Sequence, residues 1–171
     1  MNDRLLGIGA TVLKVTNILN WMCVVGFAVA LLLSFPFAPV ILAHLAAKYT
    51  TQPVLPILIV LRFMCVLGLL VGPPVHVVLT RLRAIVATAQ SGDPFVARNA
   101  GRLQAVGWAL LAIQLLDVTY GLISWGLAAH HVDTAGWAPS LGGWIAVLMV
   151  FVLARVFKIG ARMRDELELT V

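Results

Sequence analysis

The sequence predicts an all-α fold: an integral membrane four-helix bundle with an amphipathic cytoplasmic helical loop between spans two and three. Three observations carry that expectation. Of the 171 residues, 61% are hydrophobic and only 11% charged, where a soluble domain carries about 25% charged residues. The apolar residues gather into four runs, each near the ~20 residues that cross a hydrocarbon core. The cations collect on one side of those runs. A water-soluble chain of this length needs more polar surface, so the apolar excess must face lipid. The whole chain, residues 1–171, reads as a single membrane domain with spans at about 18–35, 54–79, 103–127 and 141–157.

The first run carries no charge and ends at Pro36 and Pro39. Arg4 and Lys14 precede it, and it is longer than the core of a cleavable signal peptide. It reads as an uncleaved anchor, extended upstream by a helical stub. Residues 36–53 read as a loop closing with Gln52 and Pro53. The second run is interrupted by Arg62 and by Pro73-Pro74, a pair expected to kink it. From Arg81 to Gln90, Leu82, Ile85, Val86 and Ala89 recur at helical spacing, the signature of an amphipathic helix. Ser91-Gly92-Asp93-Pro94 is a stop-and-turn signal. Pro94, with Asp93 before it, also suits a cap on the helix that follows. The third run, a polar loop with His130, His131 and Asp133, the fourth run and a charged tail complete the chain.

Orientation follows from the Lys and Arg residues. With four spans, ten fall on one side, Lys48 alone falls on the other, and Arg62 lies inside a run. By the positive-inside rule the richer side is cytoplasmic, and both termini with it. The expected location is the bacterial cytoplasmic (inner) membrane, as a multi-pass protein. The net charge of +5 is thereby read as topology signalling and contact with anionic lipid, without direct nucleic-acid binding. Tryptophans agree with this layout: Trp21 and Trp108 fall near inner boundaries, and Trp125, Trp137 and Trp144 near outer ones. Cys23 and Cys65 lie inside apolar runs and read as small buried apolar residues.

Arg62 and Asp117 are ionisable residues inside the runs, each costing about 2.5–3.5 kcal/mol on insertion scales. Counted from the outer ends of their runs they lie at about 12 and 15 Å. Opposite charges at similar depth on adjacent spans predict an intramembrane ion pair, either a packing device or a ligand or proton site. Gln114 and Tyr120 stand near Asp117 on the same helix. His44, His130, His131 and Asp133 share the outer side, but their spacing is not diagnostic of a metal, and a solvated loop is the simpler reading. Gly68 and Gly72 form a small-xxx-small pattern, which suits ordinary intrachain packing or a dimer seam, hence a homo-oligomer. No phosphate loop, HExxH, nucleophile elbow or CxxC is present. The sequence gives no catalytic, metal or cofactor set, and an enzyme is not expected.

Two stretches are more specific. One is Ser91-Gly92-Asp93-Pro94-Phe95 followed by Asn99, Arg102-Leu103 and Gly107-Trp108; the other is Val156 to Val171, which ends Glu166-Leu167-Glu168-Leu169-Thr170-Val171. Together they resemble the bacterial four-span membrane family called domain of unknown function 2975, across nearly the whole chain. The resemblance implies no catalytic residues. It implies a neighbour: members are often encoded beside a small helix-turn-helix protein, which suggests a membrane-bound partner of a cytoplasmic transcription regulator. At Ala97-Arg98 this chain departs from the pattern, which is often acidic there, so a charge contact at that place does not carry over.

The expected function is therefore a regulatory or sensory membrane partner of a cytoplasmic protein. Its docking face would use Asp93, Pro94, Phe95, Asn99 and Arg102 of the turn, with Arg164, Asp165, Glu166 and Glu168 of the tail. The alternative is a small transporter or ligand-binding membrane protein built on Arg62 and Asp117.

Overall fold

A computed structural model describes residues 2–49, 54–92, 95–128 and 136–168. Among them the secondary structure is wholly helical: α1 (Asn2–Leu33), α2 (Ala38–Lys48), α3 (Val54–Gln90), α4 (Ala97–Ala128) and α5 (Leu141–Glu168). Four of these helices, all but α2, are long and apolar enough to cross a membrane. In hydrocarbon every backbone group must be satisfied within its own segment, which selects helix for such runs. Each exceeds a bilayer core. The 37 residues of α3 rise about 56 Å, against a core of about 30 Å.

The boundaries follow from local chemistry. α1 begins far upstream of the first apolar run and stops before Pro36, which cannot continue the ladder. The segment expected as a loop contains α2. Pro39 sits in its first turn, where a missing N–H costs nothing, and Lys48 sits in its last, facing the negative end of the dipole. α3 is one helix through Pro73-Pro74 and through residues 81–90. The amphipathic stretch is the last turns of α3 rather than a separate loop helix, because no breaker separates it from the span. Gly92 ends α3 with φ of 81°, a conformation that favours glycine. Ser140 caps α5, its Oγ accepting from the Gly143 N–H at 3.3 Å.

The chain divides into two compact units. The first comprises Met1–Asn20, Pro74–Gln114 and Ser140–Val171. Its core is small: Ala100, Leu103, Val106 and Ala109 of α4 against Val147, Ala154 and Ala161 of α5. The α5 residues recur every seven positions, and small side chains there let the helices approach closely. Gly107 faces the Phe151 ring, with a Cβ at Gly107 falling 3.0 Å from it. Trp108 meets the same ring edge-on at 5.4 Å. Gln114 is buried, and its amide occupies the space a side chain at Gly143 would need. His76 Nδ1 donates to Asn17 Oδ1 at 2.8 Å, joining α3 to α1.

The second unit comprises Trp21–Pro73 and Leu115–Pro139. Here α1 and α3 pack through Gly68 and Gly72. A Cβ at Gly68 would fall 2.5 Å from the Phe27 ring, and one at Gly72 would collide with Val24. The small-xxx-small pattern therefore serves intrachain packing. Trp137 lies over Gly121, and its Nε1 is buried with no hydrogen-bond partner among the described residues. Cys65 is buried as expected, but Cys23 is exposed. The helix containing Cys23 has no fully buried position in its span window: one side meets α3 through Val24 and Phe27, and most of the rest is left to lipid.

Large hydrophobics point outward in both units, among them Leu5, Met22, Leu32, Leu148 and Met149 at 64–68% exposure. Trp108 and Trp125 are also exposed. In water such a surface would be strongly unfavourable; in a bilayer it is the expected outer face.

Candidate functional site

The most fully built polar cluster lies in the first unit, at the connection between α3 and α4. Asn99 is completely buried, at 0% exposure. It enters α4 in the first turn, its N–H donating to the Val96 carbonyl at 2.8 Å. Its Nδ2 donates to Thr88 Oγ1 at 2.7 Å, and its Oδ1 accepts from Arg102 Nη1 at 2.7 Å. The same Arg102 nitrogen donates to the Ala84 carbonyl at 3.0 Å. The Thr88 hydroxyl donates to the Ile85 carbonyl at 2.7 Å, so toward Asn99 it acts only as an acceptor. The spacing explains the geometry. Asn99 and Arg102 share a face of α4 three residues apart, and Ala84 and Thr88 share a face of α3 four apart. A buried amide demands partners, and here both of its ends find them on or beside the last turns of α3.

The turn is tied to α5 as well. The Phe95 and Phe157 rings lie 5.1 Å apart at a tilt of 32°. A Cβ at Gly160 would lie 3.4 Å from Phe95, ordinary contact. Phe95 is nonetheless 46% exposed, and Ser91, Gly92 and Arg98 are exposed. Asp93 and Pro94 lie outside the described residues. The expected turn set thus resolves into two kinds of residue. Asn99 and Arg102 are internal clamps, while Phe95 offers a surface. α5 continues to Glu168, with Arg164 and Glu166 exposed. The side chains of Asp165 and Glu168, and all of residues 169–171, lie outside the description. Thr88 and Ala84 were not expected. A threonine near a helix C-terminus, eleven residues before a buried Asn, gives no signal until the turn between them is known.

The second unit holds Arg62. Its Nε donates to Ser34 Oγ at 3.1 Å and its Nη2 to the Ser34 carbonyl at 2.7 Å. Its Cζ lies 4.3 Å from the centre of the Phe35 ring. Ser34 is 5% exposed and its hydroxyl donates to the Leu31 carbonyl. The guanidinium therefore satisfies carbonyl and hydroxyl groups at the end of α1, where the helix dipole is negative, and its cation rests on an aromatic face. The described contacts of Arg62 are with Ser34 and Phe35, not with Asp117, which is half-buried on α4. Matching depth did not include direction around the helix, and Arg62 points toward the end of α1.

His44, exposed on α2, has Nδ1 at 3.1 Å from the Val40 carbonyl of its own helix. His130, His131 and Asp133, the other members of the outer-side set, lie outside the described residues.

A family model, protein of unknown function (DUF2975), matches residues 40–171, and the chain belongs to that family. A search of curated proteins and a search of solved structures each returned no match.

Proposed function

We propose that this member of the family is a non-enzymatic regulatory protein of the bacterial cytoplasmic membrane, which engages a soluble protein on the face formed by the α3–α4 turn. One observation carries the reading. The turn is clamped from inside by a fully buried Asn99 bound to Thr88 and Arg102, while Phe95 and Arg98 stand outward on it. A fully satisfied buried network of this kind rigidifies the turn above it. A rigid, half-apolar, half-basic projection is what protein docking uses. The ten-to-one Lys and Arg bias supports the cytoplasm as the side of this face. The resemblance adds a partner class, a small helix-turn-helix regulator. Against the transport alternative stands the engagement of Arg62 with the end of α1, which turns its charge toward structure.

The test is co-expression with the product of an adjacent helix-turn-helix reading frame, followed by purification in detergent. Wild type retains that protein, and Arg98→Ala, which removes an exposed side chain only, loses it. Absence of the protein from the wild-type sample, or equal retention by both, contradicts the reading.

A further inference from the structure

In the first unit, α4 and α5 leave a groove of about 460 Å³ between them. Its floor is made of small residues, Ala100 and Gly101 of α4 and Ala154 of α5, and Phe151 stands at one end. Arg155, Lys158 and Arg162 stand along the α5 wall, and all three are exposed. Spaced three and four residues apart, they share one helix face, where like charges repel one another. None of the described lining residues is acidic. An anion bound in the groove would relieve that repulsion.

The groove also has a direction. Phe151 lies inside the apolar run of α5, and Arg162 lies beyond it. The distance between them along the helix is about 16 Å. One end is therefore apolar and at hydrocarbon depth, and the other is basic and at the level of head groups. A free phosphate would satisfy the cations and leave the apolar half uncovered. A molecule with a negative head and an acyl chain matches both halves.

We infer that the α4–α5 groove binds one anionic phospholipid, its phosphate held by Arg155, Lys158 and Arg162 and its chain lying toward Phe151. This site does not depend on the proposed protein partner, and Arg98 is not among its lining residues. Basic pockets between membrane helices are a recurrent means of holding acidic lipids. What sets this one apart from a general attraction of positive charge to the membrane is its floor of small residues, Ala100, Gly101 and Ala154.

The floor makes the test specific. A Cβ at Gly101 meets nothing within 4 Å, so Gly101→Leu projects into the groove and obstructs its floor without entering the core, and it leaves every cation in place. The full chain is purified in detergent, delipidated and titrated with phosphatidylglycerol or with phosphatidylcholine of the same chains. Native mass spectrometry reads the bound lipid. Wild type holds one phosphatidylglycerol and releases phosphatidylcholine. Gly101→Leu holds neither, while melting in lipid-free detergent as wild type does. The double variant Lys158→Gln/Arg162→Gln binds phosphatidylglycerol about 30-fold more weakly, from the attraction of each basic residue to acidic lipid. Arg81→Gln/Arg83→Gln, which removes two cations outside the groove, binds as wild type. Equal retention of both lipids, undiminished binding by Gly101→Leu, or displacement by millimolar inorganic phosphate or an acidic peptide each overturns the assignment.

Discussion

The pair Thr88 and Asn99 offers a sharp test of the turn. Thr88→Val keeps the shape of the side chain and removes the acceptor of Asn99 Nδ2. The hydroxyl proton is directed at the carbonyls of its own helix, nearest at Ile85, so toward Asn99 Nδ2 it serves as the acceptor, at 2.7 Å. Leaving a buried amide N–H without this acceptor costs about 1–3 kcal/mol. Asn99→Leu also takes the acceptor from Arg102, and a neutral plus a charge-assisted hydrogen bond sum to about 2–4 kcal/mol. In the double variant there is no longer an amide to strand, so Thr88→Val adds little. The cycle should then show a coupling of about 1–3 kcal/mol between the two sites, close to the whole cost of Thr88→Val alone. The assay is reversible unfolding in mixed micelles by titration with sodium dodecyl sulfate, followed by circular dichroism. Single-variant effects that add within about 0.3 kcal/mol, the behaviour of distant sites, would refute the hydrogen bond and the clamp built on it.

Other predictions concern the membrane interior. Arg62→Leu removes two hydrogen bonds to Ser34 and a cation from the Phe35 ring. It should lower stability in the same titration by about 1.5–3 kcal/mol, whereas Asp117→Asn should shift it much less; the reverse order would restore the ion-pair model. Gly68→Ala places a methyl group against the Phe27 ring and should cost about 1–3 kcal/mol through overpacking. Gly26→Ala, in open space, should be neutral or stabilise by up to about 1 kcal/mol. Equal melting of the two alanine variants would contradict the close approach of α1 and α3. Asn17→Leu removes the acceptor of His76 Nδ1 and should lower the melting temperature in detergent. His76→Phe should restore part of that loss when added to it, and a further decrease would contradict a direct contact.

How far the sequence could be read depended on the kind of signal. Apolar excess and charge asymmetry are properties of long stretches, and they identified four spans near the helices found. Helix ends were harder. α1 reaches upstream because Leu5, Ile8 and Val12 extend the helical pattern past Lys14, a residue that marks a membrane boundary without ending a helix. α2 was missed because its 11 residues are too few to span, and its prolines read as breakers although one of them starts a helix. α3 continued through Arg81 because a charge does not break a backbone ladder. At the site, Asn99 and Arg102 were recognisable as residues of interest. Their partners on α3 were not, because a side-chain hydrogen bond between helices depends on the turn joining them. Arg62 shows the same limit: its depth was legible, and its direction around the helix was not.

The central claim is that the α3–α4 turn is a docking face on the cytoplasmic side of a multi-pass membrane protein. Photocrosslinking in living cells tests it most directly, with a benzophenone side chain placed at Arg98. The account predicts one discrete adduct with a soluble helix-turn-helix protein, absent when the same group replaces Trp125, an exposed residue of α4 in the second unit. Crosslinks from Arg98 only to lipid or to extracytoplasmic proteins would contradict it.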